Sequence, residues 1–253
     1  MHPSIDQESI GEALEKAARI LRPAAKVAVL TGAGISAESG LATFRGSGGL
    51  WEGHRVEDVA TPRAFQRDPA LVWRFYNLRR ANLAKVSPNP GHHALVDLEK
   101  RLGANFTLVT QNVDGLHQAA GSRNVLEIHG GLRRVRCVGC ASVTDCGAEA
   151  LPDLPRCQPC GQLLRPDVVW FEEPLPEEIW KRSVEAVQRC DCFLVVGTSA
   201  VVYPAAGLID VARMEGADVI EVNVQPSAAS ARADVLLLGL SGTVLPELIK
   251  RLG

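Results

Sequence analysis

The chain has 253 residues, 46% apolar and 22% charged, a composition that fits a soluble globular protein with room for one large domain and an insert. A net charge of −2 excludes a general electrostatic pull toward nucleic acid or anionic membrane. No apolar run reaches the roughly 18 residues of a membrane span.

The first residues, MHPSIDQESIGEALEKAARI, lack the basic end and apolar centre of a signal peptide, so a cytoplasmic setting is expected. Ile10, Leu14, Ala17, Ala18 and Leu21 recur at helical spacing and predict an amphipathic helix over Ser9–Leu21. The apolar run Val27–Leu30 then reads as a buried strand. It ends in Thr31-Gly32-Ala33-Gly34, where glycines let backbone approach a ligand, as at the strand ends of nucleotide-binding sheets. The glycines fit neither G-x-G-x-x-G nor a Walker A loop. A polar loop with Ser36, Glu38, Ser39, Thr43 and Arg45 is expected where a helix would ordinarily follow.

Further along, strands are predicted at Phe106–Thr110, Val125–Ile128, Cys192–Val196, Asp218–Val222 and Val235–Leu238. Helices are predicted at His92–Leu102, Pro204–Met214 and Val244–Arg251. This alternation argues for an α/β fold, a Rossmann-like parallel sheet with helices on both faces. Ligands of such sheets bind beyond the carboxyl ends of the strands. Thr31–Gly34, Gln111–Asp114, His129, Gly197–Ser199 and Asn223–Gln225 all fall there. Residues 36–84, with Phe65, Leu71, Val72, Phe75 and Leu78 as apolar positions, and residues 134–165 interrupt the alternation. They read as a cofactor loop with a helical module and a metal-binding module, together forming a smaller lobe. The parallel-sheet domain then takes 1–35, 85–133 and 166–253.

Cys137, Cys140, Cys157 and Cys160 form two C-x-x-C pairs separated by 16 residues. Each pair can present two thiolates from one turn, and two such pairs match a structural Zn²⁺ ribbon. Four filled positions leave no open site for catalysis by the metal. Cys146, Cys190 and Cys192 read as ordinary thiols. His129 ends LEIH before Gly130-Gly131, placing an imidazole at the sheet edge as a candidate general base. His2, His54, His92, His93 and His117 read as core or surface residues. Gln111-Asn112-Val113-Asp114 allows either a helix cap at Asp114 or recognition of an amide and a sugar.

GAGISAESGLATFRG, TQNVD, LEIHG, the paired C-x-x-C, RPDVVWF and VVGTS occur in this order over roughly residues 10–250. Together they resemble the sirtuin family of NAD-dependent protein lysine deacylases. The resemblance implies that NAD and an acyl-lysine peptide meet in a cleft between a Rossmann-type domain and a small lobe of zinc ribbon plus helical module. It implies contacts to NAD from Gly32, Ala33, Gly34, Ser36, Phe44, Arg45, Gln111, Asn112, Asp114, Gly197, Thr198, Ser199, Asn223 and Ser241. Asp114 would hold the nicotinamide carboxamide and Asn223 the adenosine ribose. His129 would take a proton from a ribose hydroxyl after the acyl oxygen has displaced nicotinamide, giving free lysine and O-acyl-ADP-ribose.

Tyr76 and Arg79, three apart on one helix face, resemble the Tyr-x-x-Arg of desuccinylase-type sirtuins, with Gly46-Ser47-Gly48-Gly49 leaving room for a longer acyl chain. Guanidinium can hold a distal carboxylate with two hydrogen bonds, so removal of succinyl, malonyl or glutaryl groups is expected over deacetylation. Arg80 is expected to point elsewhere. Val169, Trp170 and Phe171, opposite Val202 and Tyr203, would receive the peptide as an added strand. Ala42 stands where the family usually has Pro, and Glu172 where it usually has Gly. Mainly deacetylase activity, mono-ADP-ribosyl transfer, and a nucleic-acid-binding ribbon using Arg133, Arg134, Arg136, Arg156 and Arg165 are the alternatives, the last opposed by the net negative charge.

Overall fold

The computed structural model describes residues 7–42, 50–51 and 53–253. Thr43, Phe44, Arg45 and Gly46–Gly49 lie outside the described residues.

Six strands, β1 (Val27–Thr31), β4 (Phe106–Thr110), β5 (Val125–Glu127), β9 (Cys192–Val196), β10 (Asp218–Asn223) and β11 (Val235–Leu238), form one parallel sheet in the order β11-β10-β9-β1-β4-β5. Every residue of β1 and β9 is buried, which is why both read as unbroken apolar runs. One face carries α1 (Gln7–Leu21), α6 (Pro90–Leu102) and α10 (Ser241–Lys250), packed through Leu14, Leu21, Leu95, Leu98, Leu245 and Leu248. The other carries α8 (Glu177–Gln188) and α9 (Leu208–Met214), packed through Val187, Leu208, Ile209 and Ala212. Each such buried Val, Leu or Ile side chain contributes about 1.5–3 kcal/mol.

The chain leaves β1 toward β4 and later returns to β1's other side as β9. Strand order therefore reverses between β1 and β9, and their carboxyl ends frame the crevice where such sheets bind ligands.

The first excursion contains α2 (Gly34–Ala37), a small hairpin of β2 (Leu50–Trp51) and β3 (His54–Arg55), then α3 (Val56–Val59), α4 (Pro62–Arg67) and α5 (Pro69–Leu83). The second is an antiparallel sheet of β6 (Gly130–Cys137), β7 (Val143–Asp145) and β8 (Leu164–Val168), reached after α7 (Leu116–Ala120). It is wider than 134–165 at both ends. The excursions share one apolar cluster, including Phe65, Val72, Trp73, Phe75, Tyr76, Leu132, Val135, Val168 and Trp170.

Several expected boundaries move for local reasons. A single helical turn, α2, begins at Gly34, so the polar loop does not wholly replace a helix. α6 begins at Pro90 because Asn89 is a side-chain N-cap with Pro at the first helical position. Pro204 precedes a 3₁₀ turn, Ala205–Gly207, instead of sitting in the first turn of α9. α10 begins at Ser241, before the expected Val244. Leu78, expected among the apolar positions of the module, is 53% exposed.

Candidate functional site

A cleft of about 960 Å³ opens between the carboxyl ends of the parallel strands and the smaller lobe. Gly32, Ala33, Gly34, Ser36, Gln111, Asn112, Asp114, His129, Gly197, Thr198, Ser199, Asn223 and Ser241 all line it. So do Tyr76, Arg79, Val169, Trp170, Phe171, Val202 and Tyr203. Candidate residues far apart in sequence are thus brought to one cavity.

The glycines of the first loop act differently from expectation. The Gly32 N–H donates to the Val196 carbonyl (3.0 Å) and the Gly34 N–H to that of Gly197 (2.7 Å). A Cβ on Gly34 would lie 2.7 Å from Gly197 O, and one on Gly197 only 2.4 Å from the Ile35 nitrogen. Glycine is required here so that two loops can touch backbone to backbone, not so that these amides face a phosphate. The N–H groups of Ile35 and Ser36 are also spent locally, while that of Ala33 has no protein acceptor among the described residues and remains for a ligand.

Around α2 a polar cluster forms. The Ser36 hydroxyl donates to Asp114 Oδ2 (2.8 Å), and Asn112 Nδ2 donates to the Gly32 carbonyl (3.1 Å) and to Ser36 Oγ (3.2 Å). Asp114 Oδ1 also accepts from the Leu116 N–H (2.9 Å) at the start of α7 while lining the cleft, but the N-cap position itself falls one residue later than expected, on Gly115. Burial raises the Asp114 carboxyl pKa, opposed by those two hydrogen bonds. Glu38 accepts from the Gly242 N–H (2.8 Å) in the first turn of α10, whose own N-cap residue, Leu240, makes no side-chain cap. The loop after β1 is thereby tied to the helix carrying Ser241.

His129 lies just beyond β5, its Nδ1 3.0 Å from the Gln111 carbonyl oxygen. A carbonyl only accepts, so the ring proton sits on Nδ1 and the Nε2 lone pair is left to accept. Burial holds its pKa below the ordinary 6.5, partly opposed by that hydrogen bond. The following Gly130 (φ +77°) crosses β8 so closely that a Cβ would meet the Asp167 carbonyl.

In the same cleft, fully buried Tyr76 accepts a hydrogen bond from Trp170 Nε1 (2.9 Å). Desolvation pushes its phenol up to about 12, so it stays protonated and can donate. The Arg79 guanidinium stands 5.9 Å from the Tyr76 ring centre. Exposed Leu78, Phe171, Val201, Tyr203, Val224 and Leu240 give the cleft an apolar rim.

The Val169–Phe171 segment is held from behind. Its N–H groups donate to the His129 carbonyl, a Glu173 carboxylate oxygen and the Ala60 carbonyl. An incoming peptide would therefore have to pair with other backbone groups of this segment. Glu172 has φ +74°, which explains why glycine is the ordinary residue there. The left-handed backbone costs about 1–2 kcal/mol. Its carboxylate makes a two-pronged pair with Arg63 (2.8 and 3.0 Å), but both side chains are well exposed, so the offset is at most about 1 kcal/mol.

The four cysteine sulfurs lie within 4.8 Å of one another, with Cys137 and Cys160 3.3 Å apart and Cys140 and Cys157 3.7 Å apart. Tetrahedral Zn²⁺ with Zn–S of about 2.3 Å needs sulfurs roughly 3.8 Å apart, so the donor set fits a structural ion. The ribbon arginines are largely committed elsewhere. Arg134 pairs with Glu127 and Asp167, Arg136 with Asp167, and Arg165 with Glu173 while stacking on Trp170. That removes the concentrated positive charge a nucleic-acid surface needs.

Sequence reasoning missed two features. Arg80, 1% exposed, threads the smaller lobe and donates to the carbonyls of Leu132, Gly147 and Glu149. His92 and His117 are core residues as read, but they lie behind the polar cluster with ring centres 4.9 Å apart. His117 Nε2 is 2.9 Å from Thr31 Oγ1, and His92 Nε2 is 3.5 Å from Ser36 Oγ. Burial pushes their pKa values down to about 3 and about 4. The Asn-Pro pair before His92 was the available sign of a capped helix start; nothing local flagged Arg80.

This fold and cleft match one family. The Sir2 family model covers residues 32–204. An NAD-dependent protein deacylase 2 of Pyrobaculum aerophilum is 55% identical over 224 residues, spanning 88% of this chain and 89% of its own. A solved Sir2 homolog–NAD complex is 44% identical with a TM-score of 0.88, covering 94% of this chain and 93% of that one. Sir2Af2 bound to a myristoylated histone peptide is 37% identical with a TM-score of 0.77, covering 96% and 97%. The chain belongs to the Sir2 family, the sirtuins.

Proposed function

We infer that this chain is an NAD-dependent protein lysine deacylase that prefers acyl groups ending in a carboxylate, such as succinyl, malonyl or glutaryl. The observation that carries the preference is the pairing of Tyr76, a protonated phenol, with the Arg79 cation in the cleft that His129 also lines. A phenol O–H and a guanidinium are both donors, and a carboxylate only accepts. An acetyl group offers these donors nothing.

NAD supplies an electrophilic ribose carbon when its nicotinamide is released. The Ser36–Asn112–Asp114 cluster suits an amide, and we assign it to the nicotinamide carboxamide. We assign the Gly197–Ser199 turn and Asn223 to the adenosine side. His129 Nε2, oriented by the Gln111 carbonyl, would accept the proton of a ribose hydroxyl of the bound cofactor. The apolar rim and Val169–Phe171 receive the peptide, and the four cysteines hold Zn²⁺ as a structural brace.

On the resemblance alone, Phe44 and Arg45 are assigned to the cofactor loop and Gly46–Gly49 to room for a longer acyl chain. The domain assignment is 1–35, 85–133 and 166–253 against 36–84 and 134–165. We assign the chain to a reducing, cytoplasmic setting, where metal-ligating and buried cysteines are the ordinary uses of the residue; no described helix is long and apolar enough to cross a membrane.

The test is incubation of the zinc-loaded enzyme with labelled NAD and succinyl-lysine peptide. Release of nicotinamide with O-succinyl-ADP-ribose is expected. Label transferred to protein, or no turnover of any acyl peptide, would overturn the reading.

A further inference from the structure

Glu221 is a buried carboxylate that the mechanism does not use. It lies on β10 with no exposed surface, and among the described residues it has no ion-pair partner. Val219, Glu221 and Asn223 alternate onto the same face of that strand. Burying a carboxylate without a cation costs several kcal/mol. An aliphatic residue like Val219 would fill this strand position without that cost, so the carboxylate has to be explained by what it binds.

Its two oxygens bind two different elements. Oε1 accepts from Asn223 Nδ2 (3.3 Å), and Oε2 accepts from the Ser230 hydroxyl (2.5 Å) in the 3₁₀ turn Ser230–Arg232. Ser230 Oγ in turn accepts from the Ser227 N–H (2.9 Å). Asn223 Nδ2 also donates to the Thr198 carbonyl (2.8 Å), and Oδ1 accepts from the Val224 N–H (3.0 Å). Both amide protons of Asn223 are therefore consumed inside the protein. What Asn223 offers the cleft is the second lone pair of Oδ1.

We propose that Glu221 is a positioning residue for dinucleotide recognition, which fixes the Asn223 amide so that Asn223 acts only as an acceptor for an adenosine-ribose hydroxyl. The proposal rests on the assignment of Asn223 to that ribose. Without Glu221 one Asn223 amide proton is unpaired, and the side chain can turn away from its acceptor orientation. His129, Tyr76 and Arg79 sit on other elements of the cleft, so the effect is confined to NAD.

The experiment compares NAD with its 2′-deoxyadenosine and 3′-deoxyadenosine analogues in wild type, Glu221→Ala, Glu221→Gln and Asn223→Ala. KM for each dinucleotide, KM for acyl peptide and kcat are measured. One neutral hydrogen bond corresponds to about fivefold in affinity. Wild type should prefer NAD over one analogue by about that factor. Glu221→Ala should raise KM for NAD about fivefold and lose the preference, while peptide KM and kcat move less than about twofold. Glu221→Gln should restore the preference, since Gln Oε1 accepts from Asn223 and Nε2 donates to Ser230.

An undiminished preference in Glu221→Ala overturns the role of Glu221. A wild type indifferent to both analogues, with a normal KM for NAD in Asn223→Ala, instead overturns the Asn223 assignment beneath it. If Glu221→Ala fails to melt cooperatively, Ser230→Ala takes its place, with partial loss of the preference expected and full retention contradicting the proposal.

Discussion

The wall of the cleft assigned to the dinucleotide is made of strand ends from one parallel sheet, whereas the wall proposed for the acyl group is made of side chains from three separate stretches of the chain. In the first, β1 and β9 end side by side, and Gly32, Gly34 and Gly197 lock their loops together through main-chain hydrogen bonds. In the second, Tyr76 and Arg79 come from α5, Trp170 from the turn after β8, and His129 from the crossing before β6. The first wall is supported by the core of the domain. The second depends on a metal knot, a shared apolar cluster and a buried arginine. Loss of the small lobe should therefore disable acyl chemistry while the sheet survives.

The largest break should come from the metal. Stripping Zn²⁺ with a chelator, or Cys157→Ser, should abolish deacylation, because a structural ion contributes folding energy outright. Amide hydrogen exchange should rise first in β6–β8, with β1 and β9 still protected. Simultaneous loss of protection in both would show that the two walls are not independent.

His129→Ala tests the junction of the walls. A positioned general base contributes about 10²–10⁴ in rate, so kcat should fall by that order. NAD affinity measured by calorimetry should stay near wild type. Because burial lowers the His129 pKa, the basic form is present at pH 7, and the acid limb of kcat/KM should lie below 6.5.

Arg80→Met acts on the acyl wall alone. It leaves the Leu132, Gly147 and Glu149 carbonyls without their donor, at about 1–3 kcal/mol each before relaxation. Denaturant melts should show a loss of about 2–4 kcal/mol. A change below about 0.5 kcal/mol would remove Arg80 from the account.

The dinucleotide wall has its own weak point in His92 and His117. Their folded pKa values of about 4 and about 3 lie below the ordinary 6.5, so the unfolded chain binds more protons between those values. Stability should be complete above pH 6.5 and fall on acidification toward pH 4, by up to about 1.4 kcal/mol per pH unit for each histidine. Replacing His117 with Gln should roughly halve that slope in urea melts followed across pH.

What was legible in the sequence follows the same division. The parallel strands could be read because burial on both faces leaves unbroken apolar runs, and the ribbon because metal geometry fixes cysteine spacing. Gln111 to Asp114 and His129 were found because they end strands. Arg80 was read only as pointing away from Tyr76 and Arg79, and its buried role could not be read because its carbonyl partners lie more than fifty residues away. Glu221 passed unnoticed within VIEVN, since one acidic residue does not break a strand pattern. The two loop glycines were read as ligand-facing when their amides pair with another loop, a contact that only the fold creates. Glu172 was visible as a departure, but its left-handed backbone and its pairing with Arg63 were not.

The central claim is that the acyl wall selects a carboxylate through Arg79. Its direct test is kcat/KM for succinyl-, malonyl-, glutaryl- and acetyl-lysine versions of one peptide, in wild type and Arg79→Met. Wild type should favour the acidic acyl groups, and Arg79→Met should lose that preference by about tenfold or more while deacetylation persists, since a charge-assisted hydrogen-bond pair is worth roughly 1.5–3 kcal/mol. An unchanged succinyl-to-acetyl ratio in Arg79→Met, or a wild type that favours acetyl-lysine, would contradict it.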